Sequence, residues 1–199
     1  MKIYTELKQN TPEWLEVRLG KLTASDAQAI ATSGKGLETL AYEKVAEIMT
    51  GKIKEGYTND DVERGHDLEM LARNSYEIMT GVVVKQVGFV ELDNMIGCSP
   101  DGLIAEDGVQ EIKCKNDANF VRFLYDRKID PAHEWQMQMQ LLVTGRNYVD
   151  YVLFNPNFKT STIVTRIARN EAMIKKLADG IEQGKKLIKG ILQEVNREK

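Results

Sequence analysis

Cys98-Ser99-Pro100-Asp101-Gly102-Leu103 and, shortly after it, Val109-Gln110-Glu111-Ile112-Lys113-Cys114 form the stretch on which the fold turns. The second run alternates. Val109, Glu111 and Lys113 point to one face of a strand, and Gln110, Ile112 and Cys114 to the other. Pro-Asp-Gly marks a turn, from which Asp101 can return beside Glu111 and Lys113 across a hairpin. Carboxylates and an ammonium sharing a face suit Mg²⁺, which takes hard oxygen ligands, usually one or two carboxylates plus waters and substrate phosphate oxygens. The lysine has no place among those ligands. It would orient the attacking water and offset charge building on phosphorus. The same residues also describe an ordinary hairpin with a surface Glu/Lys pair, and this motif alone does not separate the two.

The rest of the chain sets bounds. Its 199 residues suit one domain, taken as residues 1–199, and 42% hydrophobic with 29% charged is the balance of an ordinary soluble protein. No apolar run approaches the roughly 20 residues that span a bilayer, and Met1 to Glu6 lacks the apolar core of a signal peptide, so a cytoplasmic protein without a membrane partner is expected. Cys98 and Cys114 give neither a disulfide framework nor zinc spacing; reduced, buried thiols are expected, and since both flank the candidate site they could lie near each other. The net charge of −3 argues mildly against nucleic acid, but the local field matters more than the total.

Taken in order, Thr11-Pro12 caps a helix that ends at Leu19-Gly20. Thr23 to Asp26 opens another with a capping-box pattern. Arg18 and Ser25 could clamp an anion there, or Ser25 could merely cap while Arg18 lies over Trp14. Residues 32–36 read as a loop, Leu40–Thr50 as a helix with Leu40, Val45, Ile48 and Met49 inward, and 52–58 as a polar linker. Asn59–Thr80 is a long helix with Leu68, Leu71, Ala72, Tyr76 and Met79 on its apolar stripe. Glu69 borders that stripe, either as a surface ion pair with Arg73 or as a third carboxylate near a metal. Strands follow at Val82–Leu92, Met95–Ser99 and Val109–Cys114, as a three-stranded meander. A short helix at Asn119–Arg127 carries a basic edge. The helix from Asp130-Pro131 holds three glutamines, Gln136, Gln138 and Gln140, of which one is expected to be buried. Two more strands, Tyr148–Phe154 and Ser161–Ile167, precede a tail helix, Asn170–Glu194, that Gly180, Gly184 and Gly190 weaken. His66 and His133 are placed on helix surfaces. The fold class is α/β: a central mixed β-sheet of about five strands flanked by helices on both faces.

Five pieces occur in one order: Trp14-Leu15-Glu16-Val17-Arg18 with Thr23-Ala24-Ser25, Arg64-Gly65-His66-Asp67-Leu68-Glu69, Ser99-Pro100-Asp101-Gly102, Glu111-Ile112-Lys113-Cys114, and Trp135-Gln136-Met137-Gln138. The set closely resembles the YqaJ-like viral recombinase family, the phage lambda exonuclease group of the PD-(D/E)xK nucleases, from about Trp14 to Phe154. The resemblance implies a restriction-endonuclease-like core and a Mg²⁺-dependent exonuclease, with Mn²⁺ able to substitute. Such an enzyme degrades one strand of duplex DNA from a 5′ end and leaves a 3′ overhang for a single-strand annealing protein. It also implies a ring-shaped homotrimer. By position, Glu69, Asp101, Glu111 and the carbonyl of Ile112 would bind metal, and Lys113 would act on the nucleophilic water. Arg18, Ser25, Ser99 and Gln136 would contact the terminal phosphate, Gln136 being preferred to Gln138.

Two rivals are distinguishable. An endonuclease or junction resolvase on the same fold has no terminal phosphate to read, so the Arg18/Ser25 pocket argues for the exonuclease. A non-catalytic DNA-end-binding assembly subunit would have no use for Asp101, Glu111 and Lys113 together.

Overall fold

The helix signals at the N-terminus work as read. In a computed structural model describing residues 1–53 and 60–197, except for the side chains of 60–67, Thr11 caps α1 (Pro12–Arg18) by accepting the Trp14 N–H at 3.3 Å. The linker expected at 52–58 and the side chains of Arg64, Gly65, His66 and Asp67 fall largely or wholly outside the described residues.

Nine strands among the described residues form two mixed sheets. The larger has the order β3 (Val84–Lys85), β6 (Gly102–Ile104), β7 (Gly108–Cys114), β8 (Tyr148–Phe154), β9 (Thr162–Ala168). Only β7 and β8 run parallel in it. The connection between them carries α5 (Asp117–Asp126) and α6 (Pro131–Thr144), the long crossover a parallel pair requires. This is the expected five-stranded sheet. The smaller sheet, unforeseen, has the order β1 (Lys2–Tyr4), β4 (Phe89–Asp93), β5 (Ile96–Cys98), β2 (Leu22–Thr23). The meander is therefore corrected. The run at 82–92 breaks into β3 and β4, which belong to different sheets. The break falls at Gly88, where a Cβ would collide with the Leu7 carbonyl. The partner of β7 is β6, not the strand at 96–98.

Helices cover both faces of the larger sheet. On one face α4 (Asp60–Thr80) buries Ala72 and Tyr76 against Ile104, Ile112, Val152 and Phe154. On the other, α6 buries Met137, Met139 and Leu141 with Leu103, Val109, Val149 and Leu153, each large side chain adding about 1.5–3 kcal/mol. The two cysteines pack on different sides: Cys98 is buried in the α6-side core, while Cys114 is half-buried beside the α4-side core.

Some inward assignments move. Leu71 and Met79 are about half exposed on α4, as are Ile48 and Met49 on α3 (Gly34–Thr50), which begins within the expected loop. The positions α3 turns inward include Lys44 and Glu47. Glu47 accepts the Gly20 N–H at 2.9 Å and Lys44 at 3.1 Å, and Lys44 lies 3.7 Å from Asp26. A buried pair of this kind is weak evidence for stability, but it ties α3 to both sides of the segment running from α1 into the 3-10 turn Ala24–Asp26. The tail helix α7 (Glu171–Arg197) packs on α2 (Ala27–Thr32). Two of its three glycines have a structural use: a Cβ at Gly180 would collide with the Ile30 carbonyl, and one at Gly184 would press on Leu22 and Leu37, whereas Gly190 faces open space.

Candidate active site

A cleft of about 360 Å³ opens along the seam of the two sheets, and Arg18, Ser25, Glu69, Ser99, Asp101, Glu111, Ile112, Lys113 and Gln136 all line it. Its floor is the hairpin of β6 and β7. Gly102 pairs with Gln110, so Asp101 arrives opposite Glu111, and its Oδ2 accepts the Ile112 N–H at 2.6 Å. Gly102 itself has no room for a side chain, because a Cβ there would overlap Val84.

Glu111 is 2% exposed and receives three donors. Its Oε1 receives Lys113 Nζ at 2.7 Å and Gln136 Nε2 at 2.7 Å, and its Oε2 receives Gln140 Nε2 at 2.6 Å. The three glutamines divide their work, and two of them rather than one are fully buried. Gln136 and Gln140, four apart, face β7. Gln138 faces away, donating to the Ala168 carbonyl at 2.9 Å and accepting the Asn170 N–H at 2.8 Å, where it joins β9 to the start of α7. Gln136 is thus the glutamine in the cleft.

Burial pushes the Asp101 carboxyl well above its ordinary value, and the charges of Glu111 and Glu69 push the same way; Lys113 and the Ile112 N–H oppose them without prevailing. Burial works to lower the Lys113 ammonium, but Glu111 and Asp101 outweigh it and its pKa is raised. Lys113 is therefore a held cation, not a free base. Negative charge is in excess at this spot.

Glu69 meets the partner its helix spacing offers: Arg73 donates to its Oε1 at 2.6 Å. The same guanidinium nitrogen donates to the Asp101 carbonyl at 3.1 Å, so this pair is no surface ornament. Arg73 is buried; with the Gln86 amide oriented to present its oxygen, Nη1 and Nη2 donate to it, while Nε has no hydrogen-bond partner among the described residues. It ties the third carboxylate to the turn that carries Asp101.

At the other end of the cleft, Ser99 Oγ accepts from Trp14 Nε1 at 2.9 Å and from Arg18 Nη1 at 3.0 Å. With both acceptor positions used, its own proton is free for a ligand. Arg18 lies over the Trp14 ring at 4.2 Å. Ser25 is exposed, and its Oγ lies 2.9 Å from Thr23 Oγ1. Thr23 Oγ1 spends its proton on Asp26, so Ser25 donates to Thr23. His133, placed by sequence on a helix surface, is half-buried, with Nδ1 2.8 Å from the Tyr151 hydroxyl. Burial, followed by Lys113 and Lys115, lowers its pKa to about 4, which keeps it neutral near pH 7.

Sequence reasoning missed the contact of Arg73 with Asp101, the grip of Gln140 on Glu111, and Gln9, which donates to the Pro100 carbonyl at 2.9 Å. Helical spacing pointed to the first two as neighbours of Glu69 and Gln136. Nothing in the sequence marked Gln9.

Among the described residues, no group of three or more His, Cys, Asp or Glu side chains is gathered tightly enough to hold a metal by itself, and no helix is long and apolar enough to cross a membrane. Two carboxylates with room for waters and substrate oxygens fit Mg²⁺ rather than an ion that needs a complete protein cage. Asp101 and Glu111, opposite each other on the floor of the cleft, are the arrangement that a cation would answer.

A family model, the YqaJ-like viral recombinase domain, matches residues 13–147. The chain is similar to the alkaline exonuclease LHK-Exo of Laribacter hongkongensis, at 30% identity and a TM-score of 0.87 over 94% of this chain and 97% of that one. LHK-Exo in complex with dAMP gives a TM-score of 0.86 at the same identity and coverage. A phage-related exonuclease from Haemophilus somnus 129PT shares the fold, with a TM-score of 0.66 at 15% identity over 88% of this chain and 96% of that one. No curated protein sequence matches. The family match spans well over half the chain and contains every cleft residue from Arg18 to Gln136, and the chain belongs to the YqaJ-like viral recombinase family.

Proposed function

We propose that the protein is a Mg²⁺-dependent exonuclease that removes nucleotides from the 5′ ends of duplex DNA, leaving 3′ single strands for an annealing protein. The observation that carries this reading is one continuous cleft with Asp101, Glu111 and Lys113 on its floor and Arg18 and Ser99 at its far end. The likeness to LHK-Exo along nearly the whole of both chains supports it. In this reading Asp101, Glu111 and the Ile112 carbonyl hold Mg²⁺, with Glu69 available once it leaves Arg73; Mn²⁺ meets the same demands.

Bound there, the ion would acidify the attacking water and neutralise charge on the phosphate. The remaining work belongs to the chain. Gln136 and Gln140 fix the Glu111 carboxylate, and the Ile112 N–H fixes Asp101. The Lys113 ammonium, held by Glu111, stands where charge on the phosphorus oxygens builds. Arg18 and the unspent Ser99 proton grip the terminal phosphate, and Ser25 joins by releasing Thr23. No histidine is required, and His133 is neutral. A homotrimer, encircling the duplex, belongs to this proposal.

The test offers a duplex in two forms, linear with labelled 5′ phosphates and covalently closed with an internal label, with Mg²⁺ or with EDTA. Release of nucleotides from the linear form in Mg²⁺ alone is expected. Cutting of the closed circle would replace this reading with an endonuclease, and no cutting of either form, with unimpaired binding to DNA ends, would leave an assembly subunit.

A further inference from the structure

The two oxygens of Glu111 live in different surroundings. Oε1 meets Lys113 and Gln136, both of which line the cleft. Oε2 meets only the amide of Gln140, which is 0% exposed. The Gln140 Oε1 is itself buried without a hydrogen-bond partner. A leucine at this helix position would avoid that cost, so the amide is accounted for by its N–H. Asp101 is treated in the same way, with Oδ2 engaged by the Ile112 N–H. Glu111 thus has Oε2 tied to the buried amide of Gln140, while both donors to its Oε1 line the cleft, where a cation could take their place.

We infer that Gln140 is a positioning residue that sets metal selectivity: by holding Oε2 of Glu111 from the protein interior, it leaves that carboxylate a single oxygen for a cation and so favours Mg²⁺ over Ca²⁺. The inference rests on the metal-dependent reading proposed above. Mg²⁺ takes a tight octahedral set of single oxygens. Ca²⁺ takes 6–8 oxygens in looser geometry and readily uses both oxygens of a carboxylate. To be held through both, Glu111 would have to give up Gln140, leaving a second buried polar atom unpaired. Gln136 does not impose the same restriction, because it binds the oxygen that already faces the cleft.

The test compares wild type with Gln140→Leu, which keeps the volume and loses the donor, and with Gln140→Asn, whose amide is one methylene short of Glu111. Mg²⁺ or Ca²⁺ is titrated into the metal-free full-length protein, and affinity is read from the rise in melting temperature, so no turnover is needed. In both variants the preference for Mg²⁺ over Ca²⁺ should fall about 10-fold or more, within the roughly 10- to 100-fold range by which partners of metal ligands alter affinity. If either folded variant keeps the wild-type preference, or loses affinity for both ions by the same factor, the inference is overturned and Gln140 is only a packing residue. Should Gln140→Leu not fold, Gln140→Asn decides alone. Failure of wild type to bind either ion is a separate result, which overturns the metal-dependent reading itself.

Discussion

Replacing Arg18 by alanine should slow the enzyme on one kind of DNA end and spare the other. Among the described residues the Arg18 side chain makes one hydrogen bond, 3.0 Å to Ser99 Oγ, and lies 4.2 Å over the Trp14 ring. It forms no ion pair among the described residues, although burial lowers its pKa. The remaining donors of the guanidinium fork are therefore available to an anion. A terminal phosphate carries close to two negative charges and an internal phosphodiester one, so the gain from Arg18 is concentrated on phosphorylated ends. Loss of one charge-assisted hydrogen bond costs about 1.5–3 kcal/mol, or roughly a 10- to 100-fold fall in kcat/KM. On a 5′-hydroxyl duplex of the same sequence, wild type should already be slow and the substitution should add little. Arg18→Lys, which keeps the charge and loses the fork, should fall between. The assay is a comparison of the three proteins on the two ends under single-turnover conditions. If Arg18→Ala slows both substrates by one common factor, Arg18 is a support for Trp14 and Ser99, and the end pocket is wrong.

Lys113→Ala should lower kcat by about 10²–10³-fold with little change in KM, the usual loss when one stabiliser of developing charge is removed; an effect on KM alone would make Lys113 a substrate clamp. His133 has a folded pKa of about 4, below its ordinary 6.5. The stability it contributes is present above about pH 6.5 and lost as pH falls toward about 4. Urea melts should therefore show His133→Gln gaining on wild type over that window, and parallel curves would contradict the assignment. Gly180→Ala should destabilise by about 1–3 kcal/mol despite alanine's better helix propensity, because its Cβ meets the Ile30 carbonyl; an unchanged or higher melting temperature would show that α7 can shift off α2 at little cost.

The floor of the cleft was legible in the sequence because strand alternation is rigid: Glu111 and Lys113 had to share a face. The capped helices were legible for a similar reason, since Thr11-Pro12 and Asp130-Pro131 each announce a start with local chemistry. The division into two sheets was not. It depends on a break at 86–88 that looks, residue by residue, like a continuous β-rich run, and on the contact of Gly88 with a segment far away in sequence. The apolar stripes were overdrawn for a related reason. Leu71 lies three residues from Leu68, and Met79 three from Tyr76 and seven from Ala72, but only a narrow arc of α4 meets the sheet. Lys44 and Glu47 were invisible as core residues because each is tolerable inside only with the other. The glutamines gave a partial signal. Their spacing placed Gln136 and Gln140 together, yet only the fold shows that they close on the same carboxylate.

The tripeptide Ser99-Pro100-Asp101 is where the chain leaves the smaller sheet and enters the larger. Pro100 is buried, its ring fixes φ, and Gln9 holds its carbonyl, so the crossing is a stiff one. Two residues of extended chain span at most about 7 Å, close to the distance between neighbouring phosphates along one strand. On the proposed reading, Ser99 marks where the DNA strand ends and Asp101 marks where it is broken. The crossing would then act as a ruler one nucleotide long, with product length written into the backbone between two sheets rather than into any recognition of the base.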